Sequence, residues 1–176
     1  MLRFDDHTEQ KKTPQIIRYL QEGKNVALIS DAGTPLISDP GYLLVRECLK
    51  RGIKVVSIPG PSAILTALIC SGLPADKFVF LGYPPEKQAK RLKLFQALKL
   101  NSQLIKELSP TYIFYCAPHK LSATLSDMKE IIGNLAIVIA HELTKIHESV
   151  WRGTLDEVLS KQLSFKGELV ILFRIN

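Results

Sequence analysis

The stretch Ser30-Asp31-Ala32-Gly33-Thr34-Pro35-Leu36-Ile37-Ser38-Asp39-Pro40-Gly41 constrains the fold more than any other. Val26-Ala27-Leu28-Ile29 before it reads as a buried parallel strand, and Tyr42 to Leu49 after it reads as an amphipathic helix. A polar, Gly/Pro-rich loop between strand and helix lies at the carboxyl end of its strand, where open α/β sheets bind ligands. Gly33 and Gly41 open dihedrals closed to other residues, while Pro35 and Pro40 fix their own φ. The plain alternative is a rigid turn with no ligand. The loop contains neither a glycine-lysine phosphate loop nor a dinucleotide fingerprint.

The same grammar repeats once. Ile53 to Ile58 reads as a second buried strand, and Pro59-Gly60-Pro61 turns into an apolar helix from Ser62 to Cys70, apolar enough to predict cover on both faces. Upstream, Pro14 is placed in the first turn of a helix carrying Ile16, Ile17 and Leu20 and stopping at Gly23. Gly72-Leu73-Pro74 breaks the pattern, which gives an expected boundary between domains 1–74 and 75–176. Strands then follow at Phe78 to Leu81, Tyr112 to Tyr115, Leu135 to Ala140 (expected to be central), Ser149 to Gly153 and Gly167 to Phe173 (expected to close the sheet). Helices fall between them: a long basic one from Glu86 to Leu108, one from Leu121 to Ile132, and one from Thr154 to Leu163 with Glu157 completing a capping box. The basic side of the long helix, with Lys87, Lys90, Arg91, Lys93, Lys99 and Lys106, is the main phosphate-facing candidate; a solvated helix face is the alternative.

At 176 residues the chain has room for one sizeable core or two small ones. Its apolar runs are only strand-length, so no membrane span is expected. Three scattered cysteines predict no disulfide framework, and Cys48 and Cys70 are read as core thiols of a cytoplasmic protein. Four histidines lack a metal-binding spacing, so no metal is expected. A formal charge of +6 favours an anionic partner without identifying it.

The Ser30-to-Gly41 loop resembles the signature of the ribosomal RNA small subunit methyltransferase I family, within the tetrapyrrole methylase-like superfamily. The likeness continues through Pro59-Gly60-Pro61-Ser62-Ala63, Tyr115-Cys116-Ala117-Pro118-His119-Lys120 and Glu142-Leu143-Thr144-Lys145-Ile146-His147-Glu148. It implies an α/β, two-domain tetrapyrrole methylase-like fold with S-adenosyl-L-methionine as cofactor. The implied reaction is methylation of a cytidine ribose 2′-hydroxyl in 16S rRNA, with 16S rRNA or the small ribosomal subunit as partner and a homodimer as the assembly. The family's opening strand and Pro/Gly-rich loop have no counterpart here, so the first domain is expected to be truncated at its N-terminus and the chain alone to bind cofactor weakly or not at all. A small-molecule methylase of the same superfamily and a non-catalytic remnant remain as alternatives.

By the same resemblance, Gly33, Thr34 and Pro35 line the methionine end of the cofactor, Asp31 belongs to the cofactor-binding set, and Tyr115, Cys116 and Ala117 pack on the adenosine. Ser62 and Ala63 begin a helix whose free N–H groups suit a carboxylate. Thr144 joins the cofactor set from the loop after the Leu135-to-Ala140 strand. Glu142, Lys145 and His119 are the candidate acceptors of the hydroxyl proton. Two departures weaken the pattern: Cys116 stands where the family more often has Glu, and His141 where it has Arg.

Overall fold

The computed structural model describes residues 1–104, 109–161 and 165–175. It contains two compact units, Met1–Ser62 and Ala63–Asn176.

The first unit is built on two helices, α1 (Glu9–Gln21) and α2 (Tyr42–Lys50). Ile16 and Ile17 of α1 pack against Leu44 and Cys48 of α2, with Phe4, Leu20 and Ile53 around them. The helix α1 starts earlier than Pro14 suggests. Asp5 and Thr8 bond reciprocally, Thr8 N–H to Asp5 Oδ1 at 2.9 Å and Asp5 N–H to Thr8 Oγ1 at 3.0 Å, and this turn sets the start ahead of Glu9. Pro14 therefore sits inside the helix, where it forgoes one backbone bond. The buried Glu9 carboxylate reaches across and accepts from Gly41 N–H and Leu43 N–H, both at 2.9 Å, so α1 caps the start of α2.

The two strands expected in this unit do not form. Residues 24–30 and 53–62 carry no strand, and Val26, Ile29, Val55, Val56 and Ile58 are exposed, Ile58 at 84%. A lone extended segment has no ladder to satisfy its backbone, and no strand of this unit lies beside either one.

The second unit holds a five-stranded sheet: β1 (Phe78–Phe80), β2 (Thr111–Cys116), β3 (Ala136–His141), β4 (Ser149–Thr154) and β5 (Leu169–Phe173), in the order β1-β2-β5-β3-β4. The β1–β2 pair is parallel and the others are antiparallel. The last strand does not close the sheet as expected; β5 is inserted at its centre, and all its residues are buried. Alternation then makes two cores. Tyr112, Phe114 and Cys116 face one side with Ile137, Ile139, Ile171 and Phe173, under α4 (Gln88–Leu104), α5 (Leu121–Ile132) and α6 (Leu155–Ser160). Ile113, Val138, Ala140, Val170 and Leu172 face the other side, under Ile64, Ala67 and Leu68 of α3 (Ala63–Ser71).

That packing puts α3 with the sheet, so the compact units divide at Ser62 and Ala63, ahead of the boundary read at Pro74. Only one face of α3 is covered: Leu65, Ile69 and Cys70 are exposed, so Cys70 is not a core thiol. The capping box Thr154–Glu157 forms as read. The expected ends of two helices, Lys106 to Leu108 and Leu163, lie outside the described residues. Among the described residues no helix is long and apolar enough to cross a membrane.

Candidate functional site

In the first unit the loop after residue 29 is held by its own side chains. The Ser30 hydroxyl bonds Asp39 and Ala32 O, and Thr34 Oγ1 donates to Pro61 O at 2.8 Å, tying the two Pro/Gly loops together. Gly33 has φ 77°, and the non-glycine residues Leu36 and Ser38 also lie in the left-handed region, at 72° and 63°. Such conformations cost of order 1–3 kcal/mol each and cluster at binding sites. Gly41, at φ 138°, holds a backbone conformation that strains any L side chain, and an added Cβ would also crowd the Leu36 and Leu28 methyls at 2.6 and 2.7 Å and force them to shift. At Gly33 the same atom would meet nothing within 4 Å. The N–H groups of Gly33 and Thr34 donate to no protein group among the described residues, which leaves an exposed arc of donors suited to a carboxylate or a polar cofactor edge. Asp31, Gly33, Thr34 and Pro35 thus share one loop, and Ser62 follows Pro61 directly before α3.

In the second unit the strand register collects the other candidates. Cys116 and His141 both pair with Leu169, and His141 also pairs with Ser149. The carboxyl ends of β2 and β3 and the start of β5 therefore lie at one end of the sheet. Tyr115, Cys116 and Ala117 stand there on one side, and the loop after β3 on the other. In that loop Glu142 (φ 47°) and Thr144 (φ 65°) are both left-handed. Glu142 Oε1 accepts from Glu168 N–H at 2.9 Å and from Lys145 Nζ at 3.1 Å, while Lys145 also pairs with Glu168 Oε2 at 3.1 Å. The Glu168 amide and then Lys145 hold the Glu142 carboxyl below its ordinary range. Glu168 and Glu142 push the Lys145 ammonium up. A deprotonated Lys145 is therefore not what this arrangement favours near neutrality. Thr144 N–H donates to the Glu148 carboxylate.

Cys116 does not present its thiol at this end. The side chain is buried in the sheet core, and burial pushes the thiol up to about 11, so only its backbone is available to a ligand. His119 is exposed in a 3₁₀ turn, Pro118–Lys120, and makes no hydrogen bond or ion pair with Glu142 or Lys145 among the described residues. His141 Nε2 faces the Lys166 carbonyl, which needs a proton on that nitrogen, and Nδ1 lies 3.3 Å from Ser149 Oγ. Of the basic helix face, Arg91 is buried in an ion pair with Asp127, and Lys99 Nζ donates to Ile131 O at 2.7 Å. Both are structural and not phosphate-facing; Lys87, Lys90 and Lys93 remain exposed.

Sequence reasoning missed Glu168 and Gly167. Gly167, at φ 89°, leaves the space that the Glu142 carboxylate fills, and a Cβ there would collide with it. No local signal marks either residue, because their place follows from insertion of β5 at the sheet centre. Among the described residues no cluster of three or more His, Cys, Asp or Glu is arranged to hold a metal.

Comparison with known proteins gives the family and the fold. The sequence model described as Tetrapyrrole (Corrin/Porphyrin) Methylases matches residues 2–159. A Ribosomal RNA small subunit methyltransferase I of Thermotoga maritima is 42% identical over 160 residues, covering 91% of this chain and 68% of that protein. Its counterpart in Halalkalibacterium halodurans is 40% identical over 178 residues, covering 100% of this chain and 59% of the relative. The chain thus spans about three-fifths to two-thirds of the length of these relatives. Uroporphyrin-III C-methyl transferase from Thermus thermophilus, solved with S-adenyl homocysteine, shares the fold at a TM-score of 0.59 and 16% identity, covering 94% of this chain and 73% of that one.

Proposed function

From the premise that this chain belongs to the tetrapyrrole methylase family, and within it to the ribosomal RNA small subunit methyltransferase I family, we propose that it serves S-adenosylmethionine-dependent methylation of a cytidine ribose 2′-hydroxyl in 16S rRNA. The observation that carries the reading is the sheet end where residues 115–117 and the left-handed Glu142 and Thr144 converge on one register. S-adenosylmethionine, when bound, supplies an activated methyl group. Asp31, Gly33, Thr34 and Pro35 hold its methionine end, with the free N–H groups of Gly33 and Thr34 as donors. Ser62 and Ala63 meet its carboxylate, Tyr115 and the backbone of Cys116 and Ala117 face its adenosine, and Thr144 adds a polar contact.

The transfer forms a carbon–oxygen bond, breaks a carbon–sulfur bond and frees the hydroxyl proton. Positioning carries much of the rate. Glu142, kept ionised, accepts the hydroxyl's hydrogen bond and orients it. Lys145 stays protonated as a fixed cation, and His119, apart from that pair, is the remaining proton acceptor. The deciding experiment incubates the chain with methyl-labelled S-adenosylmethionine and either small ribosomal subunits or a uroporphyrin-type tetrapyrrole. Label in the RNA, at a ribose oxygen, is the expected result. Label in the tetrapyrrole would favour the small-molecule reading, and label in neither would favour a non-catalytic remnant.

The same proposal extends to assembly as a homodimer in the cytoplasm. Its support is the exposure of the apolar Val26, Ile29, Val55, Val56 and Ile58 on two segments with no strand partner among the described residues. Sedimentation showing only monomer at working concentration would remove it.

A further inference from the structure

We infer that Tyr83, followed by Lys87, Lys90 and Lys93, forms a stacking platform for an unpaired base of single-stranded RNA, with the lysines taking the neighbouring phosphates. The inference rests on the RNA reading above and names a contact surface built on residues given no cofactor or catalytic role there, although the Tyr83 ring borders Tyr115.

Tyr83 is 60% exposed, yet its backbone is anchored on both sides. Upstream, Leu81 N–H donates to Ile113 O at 2.8 Å and Gly82 O accepts from Tyr115 N–H at 2.9 Å, which fastens the turn to β2. Downstream, Pro85 O and Glu86 O accept from Arg91 Nη1 at 3.1 and 3.0 Å. Arg91 is itself fixed by Asp127, Nε to Oδ2 at 2.7 Å, and Gln88 joins the same carboxylate at 2.8 Å. Sideways, the Tyr83 ring lies 5.4 Å from Tyr115, and Tyr115 lies 5.0 Å edge-on to Phe80. An exposed aromatic ring on an already immobilised turn loses little freedom when a second ring stacks on it. Base–aromatic stacking of this kind is how single strands are held without sequence readout.

The exposed charge that follows the ring in sequence selects the ligand. Lys90 and Lys93 are exposed and three apart on α4, so they share a side of the helix, and the exposed Lys87 precedes its first turn, with its carbonyl accepting from Lys90 N–H at 3.0 Å. None forms an ion pair among the described residues, whereas Arg91 and Lys99 of the same helix are engaged in packing. Adenosine of the methyl donor would suit the ring but not the lysines, since S-adenosylmethionine carries no phosphate and a positive sulfonium. A single strand supplies both a π-face and a run of phosphates.

The test measures fluorescence anisotropy of a labelled, mixed-sequence RNA single strand with the full chain, alongside calorimetric binding of S-adenosylhomocysteine and a thermal melt. Tyr83→Ala should weaken RNA binding on the order of ten-fold, Tyr83→Leu should fail to restore it, and Tyr83→Trp should keep it. The melt and the S-adenosylhomocysteine affinity should not move. Replacing Lys87, Lys90 and Lys93 by Gln should lower the salt slope of log K by about 0.7 for each lysine lost. Equal RNA affinity for wild type and Tyr83→Ala would overturn the platform while leaving the RNA reading intact. A loss confined to S-adenosylhomocysteine binding would also overturn it, by assigning the ring to the cofactor. No RNA binding by the wild type would remove the platform and the RNA reading together.

Discussion

All five residues of β5 are buried and laddered on both edges, to β2 and to β3, whereas residues 26–29 and 53–58 of the first unit have no ladder and leave their apolar side chains largely in water. The second unit is ordered by long-range pairing with a packed core on each face of its sheet. The first is ordered by one small helix–helix core and a carboxylate that caps across it. The loops with candidate chemistry follow the same division. The sheet-end loop of the second unit hangs on a rigid frame, while the Gly33 loop depends on its own hydrogen bonds and on Pro61. The contrast teaches that a loop can keep strained dihedrals on very different amounts of supporting structure.

The largest effect should come from the centre of the sheet. Phe173, fully buried against Tyr112 and Phe114, should cost about 3–5 kcal/mol on truncation to Ala. The sole tryptophan, Trp151, reports on this unit. Its urea transition should move in Phe173→Ala and stay in place in Ile16→Ala, a change in the first core. A matching shift in both variants would break the comparison by making the units one cooperative block.

A similar or slightly smaller loss is expected for Asp127→Ala, which strands the buried Arg91 guanidinium and should cost about 3–5 kcal/mol. The paired change Arg91→Met with Asp127→Leu should be much milder. If the single variant melts like the wild type, the ion pair is not what holds α4 to α5.

Glu9→Ala probes the first unit on its own terms. Removing the acceptor shared by Gly41 N–H and Leu43 N–H should cost about 1–3 kcal/mol. The loss should appear in helix circular dichroism and not in Trp151 fluorescence. Movement of the tryptophan signal instead would contradict the separation of the two units.

The smallest effect is in pH. The Glu142 carboxyl is held down, so its contribution is present above the ordinary carboxylate range near 4.5 and is lost as pH falls through its lowered value. The Lys145 ammonium is held up, so its contribution is present below 10.5 and is lost as pH rises through its raised value. The tie among Glu142, Lys145 and Glu168 should therefore stay whole across neutrality, and neither Glu142 nor Lys145 should show its own titration between about pH 5 and pH 10 when followed by side-chain NMR. A Lys145 titration near pH 7 would restore it as a candidate base.

Much of the second unit is legible from local pattern. The runs at β2 and β3 are rich in apolar, β-branched and aromatic residues and bounded by turns, and Leu121 to Ile132 keeps a helical stripe up to Gly133. Thr154 and Glu157 announce their capping box. What local pattern does not carry is pairing. Residues 26–29 and 53–58 have the composition of buried strands, but a strand exists only where a neighbour takes its hydrogen bonds. Insertion of β5 between β2 and β3 is equally invisible, and with it go Glu168 and Gly167. Arg91 looks like one more surface cation until Asp127 is found buried on α5. At the site, the left-handed turn of Glu142 and Thr144 is not readable, because neither residue type demands it.

Residue-resolved amide NMR during titration with S-adenosylhomocysteine tests the cofactor assignment most directly. Saturable shifts are expected at Asp31, Gly33 and Thr34 and at Tyr115 and Ala117, with the β5 core unmoved. Saturation with shifts confined to other residues, or no saturable shift at any of these, would contradict it.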